Sequence, residues 1–168
     1  EHRLDLLLRA LSGMKGVTLL VAGDGYEKMR LRREAQLLGV DARFLGWVFS
    51  ERIHDLLKLA DCVVIPSRDE REGCSEGLPM VLLEALVAGC PVVASAVGGV
   101  PEIIHDRING ILVTPNKVEP LRQAIQAVVL NEGLRNRLRS EAKKIGQDFD
   151  LDRIADRWEQ RYLKLMKE

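Results

Sequence analysis

Two carboxylates bracket a proline in the stretch EGLPMVLLEALVAGCPVVAS, residues 76–95: Glu76 stands ahead of Pro79, and Glu84 follows it. Proline suits the first position of a helix, where its missing N–H is one of the groups left unpaired anyway. The pattern therefore predicts a helix over 79–88, with Glu76 in the loop before it and Glu84 on its second turn. Eight residues of helix would separate the two acids by about 12 Å and about 80° of rotation, too far to share a proton or a metal. Between them lie the free N–H groups of the helix start, which attract phosphate by about 0.3–1 kcal/mol when exposed and up to about 2 kcal/mol when partly buried. Carboxylate, phosphate site, carboxylate is an order that suits one long ligand with hydroxyls on both sides of a phosphate, because an ionised carboxylate only accepts hydrogen bonds. A sugar nucleotide has that layout. On spacing alone, a solvated loop glutamate and an exposed helix glutamate fit equally well.

The elements around this stretch read as alternating strands and helices. EHRLDLLLRAL predicts an amphipathic helix, VTLLVAG (17–23) a strand buried on both faces, and YEKMRLRREAQLLG a helix ending near Gly39. A strand at 42–46, a helix N-capped by Ser50 and a strand at 62–66 follow; strands at 91–95 and 110–114 come after the helix that carries Glu84. Such alternation implies an α/β fold: a Rossmann-like, doubly wound parallel sheet with helices on both faces and right-handed crossovers. Ligands in such sheets collect at the carboxyl ends of the strands. Beyond Val118 three helical stretches form a helical C-terminal tail, and in the last of them Ile154, Trp158, Tyr162 and Leu165 recur at helical spacing, so one face needs a partner.

At 168 residues the chain is sized for one domain, 1–168. Lys plus Arg and Asp plus Glu both number 25, and no block of like charge argues for nucleic acid or an anionic surface. Cys62, Cys74 and Cys90 stand singly, with neither a disulfide framework nor a metal spacing, which fits a cytoplasmic protein with no metal and no bound cofactor. The opening helix lacks the form of a signal peptide and, without a preceding strand, is expected to belong to a domain cut from a longer chain.

Seven pieces in order resemble the signature of the family-four retaining glycosyltransferases: Ala22-Gly23-Asp24-Gly25, Leu45-Gly46, Pro66-Ser67, Glu76-Gly77-Leu78-Pro79 with Glu84-Ala85, Ala88 through Ala94, Val97 through Glu102, and Asn109-Gly110. The resemblance covers nearly the whole chain. It implies the second, donor-binding Rossmann-like half of a GT-B enzyme, transferring a sugar from a UDP- or GDP-sugar to a saccharide or lipid-linked acceptor with retention. It also implies an absent N-terminal acceptor-binding domain, a role in polysaccharide or glycolipid synthesis, and a full-length enzyme that could associate peripherally with a membrane. By the same analogy Glu76 is the catalytic-site acid beside the transferred sugar. Gly77, Leu78, Pro79, Met80 and Val81 supply backbone to the sugar and phosphates, and Glu84 binds the ribose hydroxyls.

One departure stands out. The resemblance calls for an Arg and a Lys on the segment entering the first helix; here that segment is Glu1-His2-Arg3, with His2 near the Lys position, so either the sequence begins within the site, or Arg3 substitutes, or phosphate binding is weaker than in relatives. Charge building on a leaving diphosphate needs cations or aimed dipoles, so this chain alone is expected to bind without turnover. Gly23 is a candidate phosphate-loop residue, although G-x-G also makes a plain strand-to-helix turn. Gly98-Gly99 reads as a turn before Pro101, His54 and His105 as surface residues on helices, and Trp47 and Trp158 as packing residues. Cys74 reads as a simple loop residue, and the charged loop holding Arg68, Asp69 and Arg71 as a border of the sugar or acceptor site. The competing functional reading is a non-catalytic module holding a nucleotide or sugar phosphate; an epimerase acting on the nucleotide sugar is disfavoured by the two-glutamate pattern.

Overall fold

The computed structural model describes residues 3–68, 77–149 and 151–166. Glu76, His2 and Cys74, together with Asp69 and Arg71 of the charged loop, lie outside the described residues.

Helix α1 (Leu4–Leu11) is built from strong helix formers and buries Leu6, Leu7, Leu8, Ala10 and Leu11, leaving Arg9 to water. Strand β1 (Thr18–Ala22), helix α2 (Lys28–Leu37), strand β2 (Asp41–Gly46), helix α3 (Ser50–Leu59) and strand β3 (Val63–Ile65) follow in the predicted alternation. Helix α4 (Met80–Ala88) leads to strand β4 (Val92–Ser95), a short helix α5 (Val100–Ile103) and strand β5 (Ile111–Val113). The chain ends in α6 (Val118–Leu130), α7 (Glu132–Gly146), one 3₁₀ turn (Gln147–Phe149) and α8 (Leu151–Leu165).

Every strand pair is parallel, and the helices lie on both faces, as predicted. Period-two alternation divides the core: Val93 of β4 faces a cluster with Leu6 and Leu7 of α1 and Leu121 and Ile125 of α6, whereas Val92 and Ala94 face Leu82 and Leu86 of α4 and Ala142 of α7. A third cluster joins Leu8 of α1 to Leu31 and Ala35 of α2. Among the described residues the ladders run β1–β2 and β3–β4–β5. β4, with a neighbour on each side, is buried throughout; β1 is not, and Leu20 is 45% exposed.

The seat of α4 depends on a close helix crossing. A Cβ on Gly146 of α7 would run into the Leu86 carbonyl and lie 2.7 Å from the Val87 nitrogen, so α7 packs onto α4 backbone to backbone only with glycine there.

Several expectations are corrected. Ser50 is the first residue of α3 and Phe49 its N-cap, because Phe49 carries the extended backbone. Trp47 is 78% and Trp158 53% exposed, so neither packs into the core; Trp158 instead meets the Tyr162 ring at 6.0 Å between centroids. His54 is on α3, but His105 falls just past α5, where its N–H donates to the Asn109 side chain at 2.7 Å. Tyr162 and Leu165 of α8 are exposed as well, and Ile154 is half-buried, so the apolar face of that helix is open among the described residues. Among these residues no helix is long and apolar enough to cross a membrane.

Candidate functional site

Parallel strands deliver their following loops to one edge, and the loops after β3 and β4 meet there. The Gly99 N–H donates to the Gly77 carbonyl at 3.1 Å, and Leu78 packs against Gly99. Gly98 makes this approach by adopting φ 54°, so the Gly98-Gly99 pair is a turn, as read from the sequence, and one that braces the start of α4. Pro79 is the N-cap of α4 and not its first helical residue: its backbone is extended, with ψ 125°, and its carbonyl accepts from the Leu82 N–H at 3.0 Å. Among the described residues no side chain caps this helix. The first N–H groups of any helix have no intrahelical partner, so the start of α4 presents donors and the positive end of its dipole.

α4 is nearly engulfed, with Leu82, Ala85 and Leu86 fully buried. Its open stripe is Met80, Glu84 and Val87, spaced i, i+4, i+7, with Met80 66% exposed. Glu84 therefore stands one turn above the first N–H groups, on the side of the helix that is most open to water among the described residues. It is exposed and has no hydrogen-bond or ion-pair partner among the described residues. Gly77 is also exposed, and among the described residues a Cβ there would meet nothing within 4 Å. Leu78 and Val81 are half-buried and Pro79 is buried, so these three hold the turn in place and contribute backbone. The structure thus brings Gly77, Leu78, Pro79, Met80, Val81 and Glu84 together along one segment.

Gly23 is placed apart from that segment, at the carboxyl end of β1. Its φ is 121°, and its N–H donates to the Gly46 carbonyl at 2.7 Å, closing β1 onto β2. The turn is finished by Asp24, which accepts from the Gly25 N–H at 2.9 Å and from Lys28 Nζ at 2.8 Å. Those bonds hold the Asp24 carboxyl below its usual pKa, the Lys28 bond first.

Arg3 enters at the same edge. Its backbone N–H donates to the Pro66 carbonyl at 2.7 Å, just past β3. Its guanidinium forks onto Asp5, Nε to Oδ1 at 2.8 Å and Nη2 to Oδ2 at 2.7 Å, and Nη1 reaches Asn116 Oδ1 at 3.2 Å. The fork lowers the Asp5 pKa to about 2 and raises that of Arg3. The one described cation on this entering segment already has its carboxylate.

Sequence reasoning missed Asp5, which pairs with Arg3 two residues before it, and Asn116, which Arg3 reaches across 113 residues of chain. It also passed over Ser95, which, like Ser67, is 2% exposed at the end of its strand. A small polar residue closing an apolar run was the available signal. Among the described residues no group of three or more His, Cys, Asp or Glu side chains could hold a metal. Burial pushes the thiols of Cys62 and Cys90 up to about 12 and about 11, which makes both inert as nucleophiles at neutral pH.

Comparison with known proteins agrees with this geometry. The sequence profile of the glycosyl transferases group 1 family matches residues 1–145. An uncharacterized glycosyltransferase of Methanocaldococcus jannaschii is 35% identical over 161 residues, 92% of this chain and 40% of its own length. A D-inositol 3-phosphate glycosyltransferase of Actinosynnema mirum is 32% identical over 167 residues, 90% of this chain and 39% of its own. Among solved structures, that of Anabaena HepE in complex with UDP superposes with a TM-score of 0.83 at 26% identity, covering 95% of this chain and 44% of HepE. The chain thus spans about two fifths of the length of these relatives. The described strands, the α4 turn and the match over residues 1–145 lead to one assignment: this chain belongs to the group 1 glycosyl transferases, with the fold of a GT-B domain.

Proposed function

We propose that this chain is the donor-binding domain of a retaining glycosyltransferase, which takes a UDP- or GDP-sugar and passes the sugar to a saccharide or lipid-linked acceptor held by a separate N-terminal domain. The observation that carries the proposal is the start of α4, where N–H groups that no described side chain caps open beside exposed Gly77, with exposed Glu84, unpartnered among the described residues, one turn further on. The pyrophosphate would sit on those N–H groups, and a phosphate oxygen could come close to Gly77 because no described residue occupies the space over its Cα. Glu84 would accept from the ribose hydroxyls. Glu76 keeps its place beside the transferred sugar from the sequence pattern alone.

The relation to HepE, which has been crystallised with UDP and with UDP-glucose, supports the uridine option first. Gly23, bound to Gly46, would line the far side of the donor edge as a backbone wall. A leaving diphosphate would find dipoles at α4 but no free Arg3 guanidinium, so this domain by itself should bind the donor and turn it over poorly. The reaction would run without a metal, and the complete enzyme would work in the cytoplasm, in contact with a membrane where its acceptor is a lipid.

A thermal-shift panel of UDP-, GDP- and ADP-sugars tests the proposal. A site filled at 100 times its dissociation constant stabilises the fold by about 2.7 kcal/mol. One nucleotide sugar should raise Tm and the Glu84→Ala variant should lose most of that rise; the absence of any shift with all three would defeat the donor-site reading.

A further inference from the structure

β2 has a strand on one side only: among the described residues it forms a ladder with β1 alone. Its other edge is a row of backbone donors and acceptors open to a further strand. One side chain stands over it. Arg32 of α2 donates from Nη2 to the Phe44 carbonyl at 3.4 Å, and its guanidinium carbon lies 5.5 Å from the centre of the Phe44 ring. Between α2 and β2 runs a groove of about 380 Å³, with Ala35, Val40, Ala42 and Phe44 as its floor and exposed Arg32 and Arg43 at its rim. A second groove, of about 760 Å³, continues from Arg32 over the outer face of α2, past Arg30 and Arg33. Among the described residues no carboxylate lines either groove. Arg30 is held by Glu27 and Glu34, but Arg33 has no hydrogen-bond or ion-pair partner among the described residues. Arg43 has only Asp41, at 4.0 Å, and Asp41 already accepts from the Thr18 hydroxyl at 2.6 Å. The corner therefore combines a strand edge, an apolar floor and three guanidiniums that lack a full counter-charge.

We infer that the corner between α2 and β2 is a docking surface for an extended acidic segment of a partner protein, which adds as a strand to the free edge of β2. Pairing takes the Phe44 carbonyl away from Arg32, so the occupant must offer that guanidinium a stronger acceptor, and a carboxylate is one. Successive side chains of an added strand point to opposite faces. Those on the α2 side lie over the apolar floor, within reach of Arg32 and Arg33; those on the other side lie beside Arg43, whose side chain is 68% exposed. A small apolar residue with acids on both sides of it suits that order. A second copy of this chain does not, because about a two-fold axis the same arginines would face one another across the new pair. The inference concerns residues outside the α4 segment and does not rest on the donor-site reading.

Calorimetric titration of the protein with a capped Glu-Glu-Val-Glu-Glu peptide, without nucleotide sugar, tests it. That peptide should bind and shift the amide NMR signals of Ala42 and Phe44, and the capped Lys-Lys-Val-Lys-Lys peptide should do neither. Methylating the backbone nitrogens of the valine and of the residue after it keeps every charge and removes a donor to β2 whichever way the strand lies; binding should weaken at least about tenfold. Arg32→Gln and Arg43→Gln should each weaken binding by about tenfold or more with Tm unchanged. Absence of binding would overturn the inference, and so would equal binding of the lysine or the methylated peptide. Capture of the protein by phosphatidylglycerol vesicles with no response to the acidic peptide would also overturn it, as would sedimentation of a dimer joined through β2. Should a substitution at Arg32 unfold the chain, the methylated peptide on the unsubstituted protein decides the matter by itself.

Discussion

Glu84 is a carboxylate held out in water on a helix that is otherwise buried, with no partner among the described residues. It adds nothing to packing, so Glu84→Ala should leave the unfolding free energy within about 0.5 kcal/mol of wild type. The same change should weaken nucleotide-sugar binding by about 10- to 150-fold, the equivalent of about 1.5–3 kcal/mol for a charged hydrogen bond. Calorimetric titration with urea unfolding as the control separates the two effects. Asp5 is the opposite case, a carboxylate fully committed to its neighbour. Its folded pKa of about 2 lies below the unfolded value near 3.9, so the unfolded chain binds protons first on acidification. Its stabilisation is complete above about pH 4 to 5 and is lost as pH falls through about 2. Asp5→Asn should therefore cost about 1 kcal/mol at pH 7 and almost nothing at pH 2, read from urea midpoints across that range.

At the scale of elements, the site depends on α4 being held at a fixed height, and α7 holds it. Gly146→Ala should destabilise by about 1–3 kcal/mol, because the new Cβ meets the α4 backbone at Leu86 and Val87, which cannot rotate away as a side chain could. It should also weaken donor binding by displacing the first turn of α4, whereas Gly77→Ala, with open space around its Cβ, should spare stability and affect binding alone. Differential scanning calorimetry with and without nucleotide sugar distinguishes the two glycines. Most of the element order was legible in the sequence. β1, β2, β3, β4 and β5 fall within one residue of the expected runs at each end, and α6, α7 and α8 fill the three helical stretches expected beyond Val118. These segments carry their own period and their own stops. The errors fell at helix starts. Ser50 and Pro79 each sit one position from their expected role, because the N-cap is set by which residue turns extended, and neighbours outside the helix decide that.

For the whole molecule, the feature that stands apart is the apolar face of α8, open among the described residues. α8 rests on the 3₁₀ turn at Gln147–Phe149, where Asp148 pairs with Arg157 at 2.8 Å, and exposes Trp158, Tyr162 and Leu165. Removing residues 151–168 should therefore shift Tm by less than about 2 °C, since almost no apolar surface would be uncovered. A larger loss, seen by circular dichroism melting, would mean that α8 folds back onto the domain in solution.

The sequence by itself determined the α/β alternation and the parallel sense of the strands, and it singled out the segment 76–84 as the candidate donor site, because periodicity, proline and glycine act over a few neighbouring residues. Tertiary structure alone decided which strands bond, that Trp47 stands in water, and that the Arg3 guanidinium reaches Asn116. Each of those depends on contacts between distant segments, and a contact fixed by the closing of the whole chain leaves no local trace in the order of its residues.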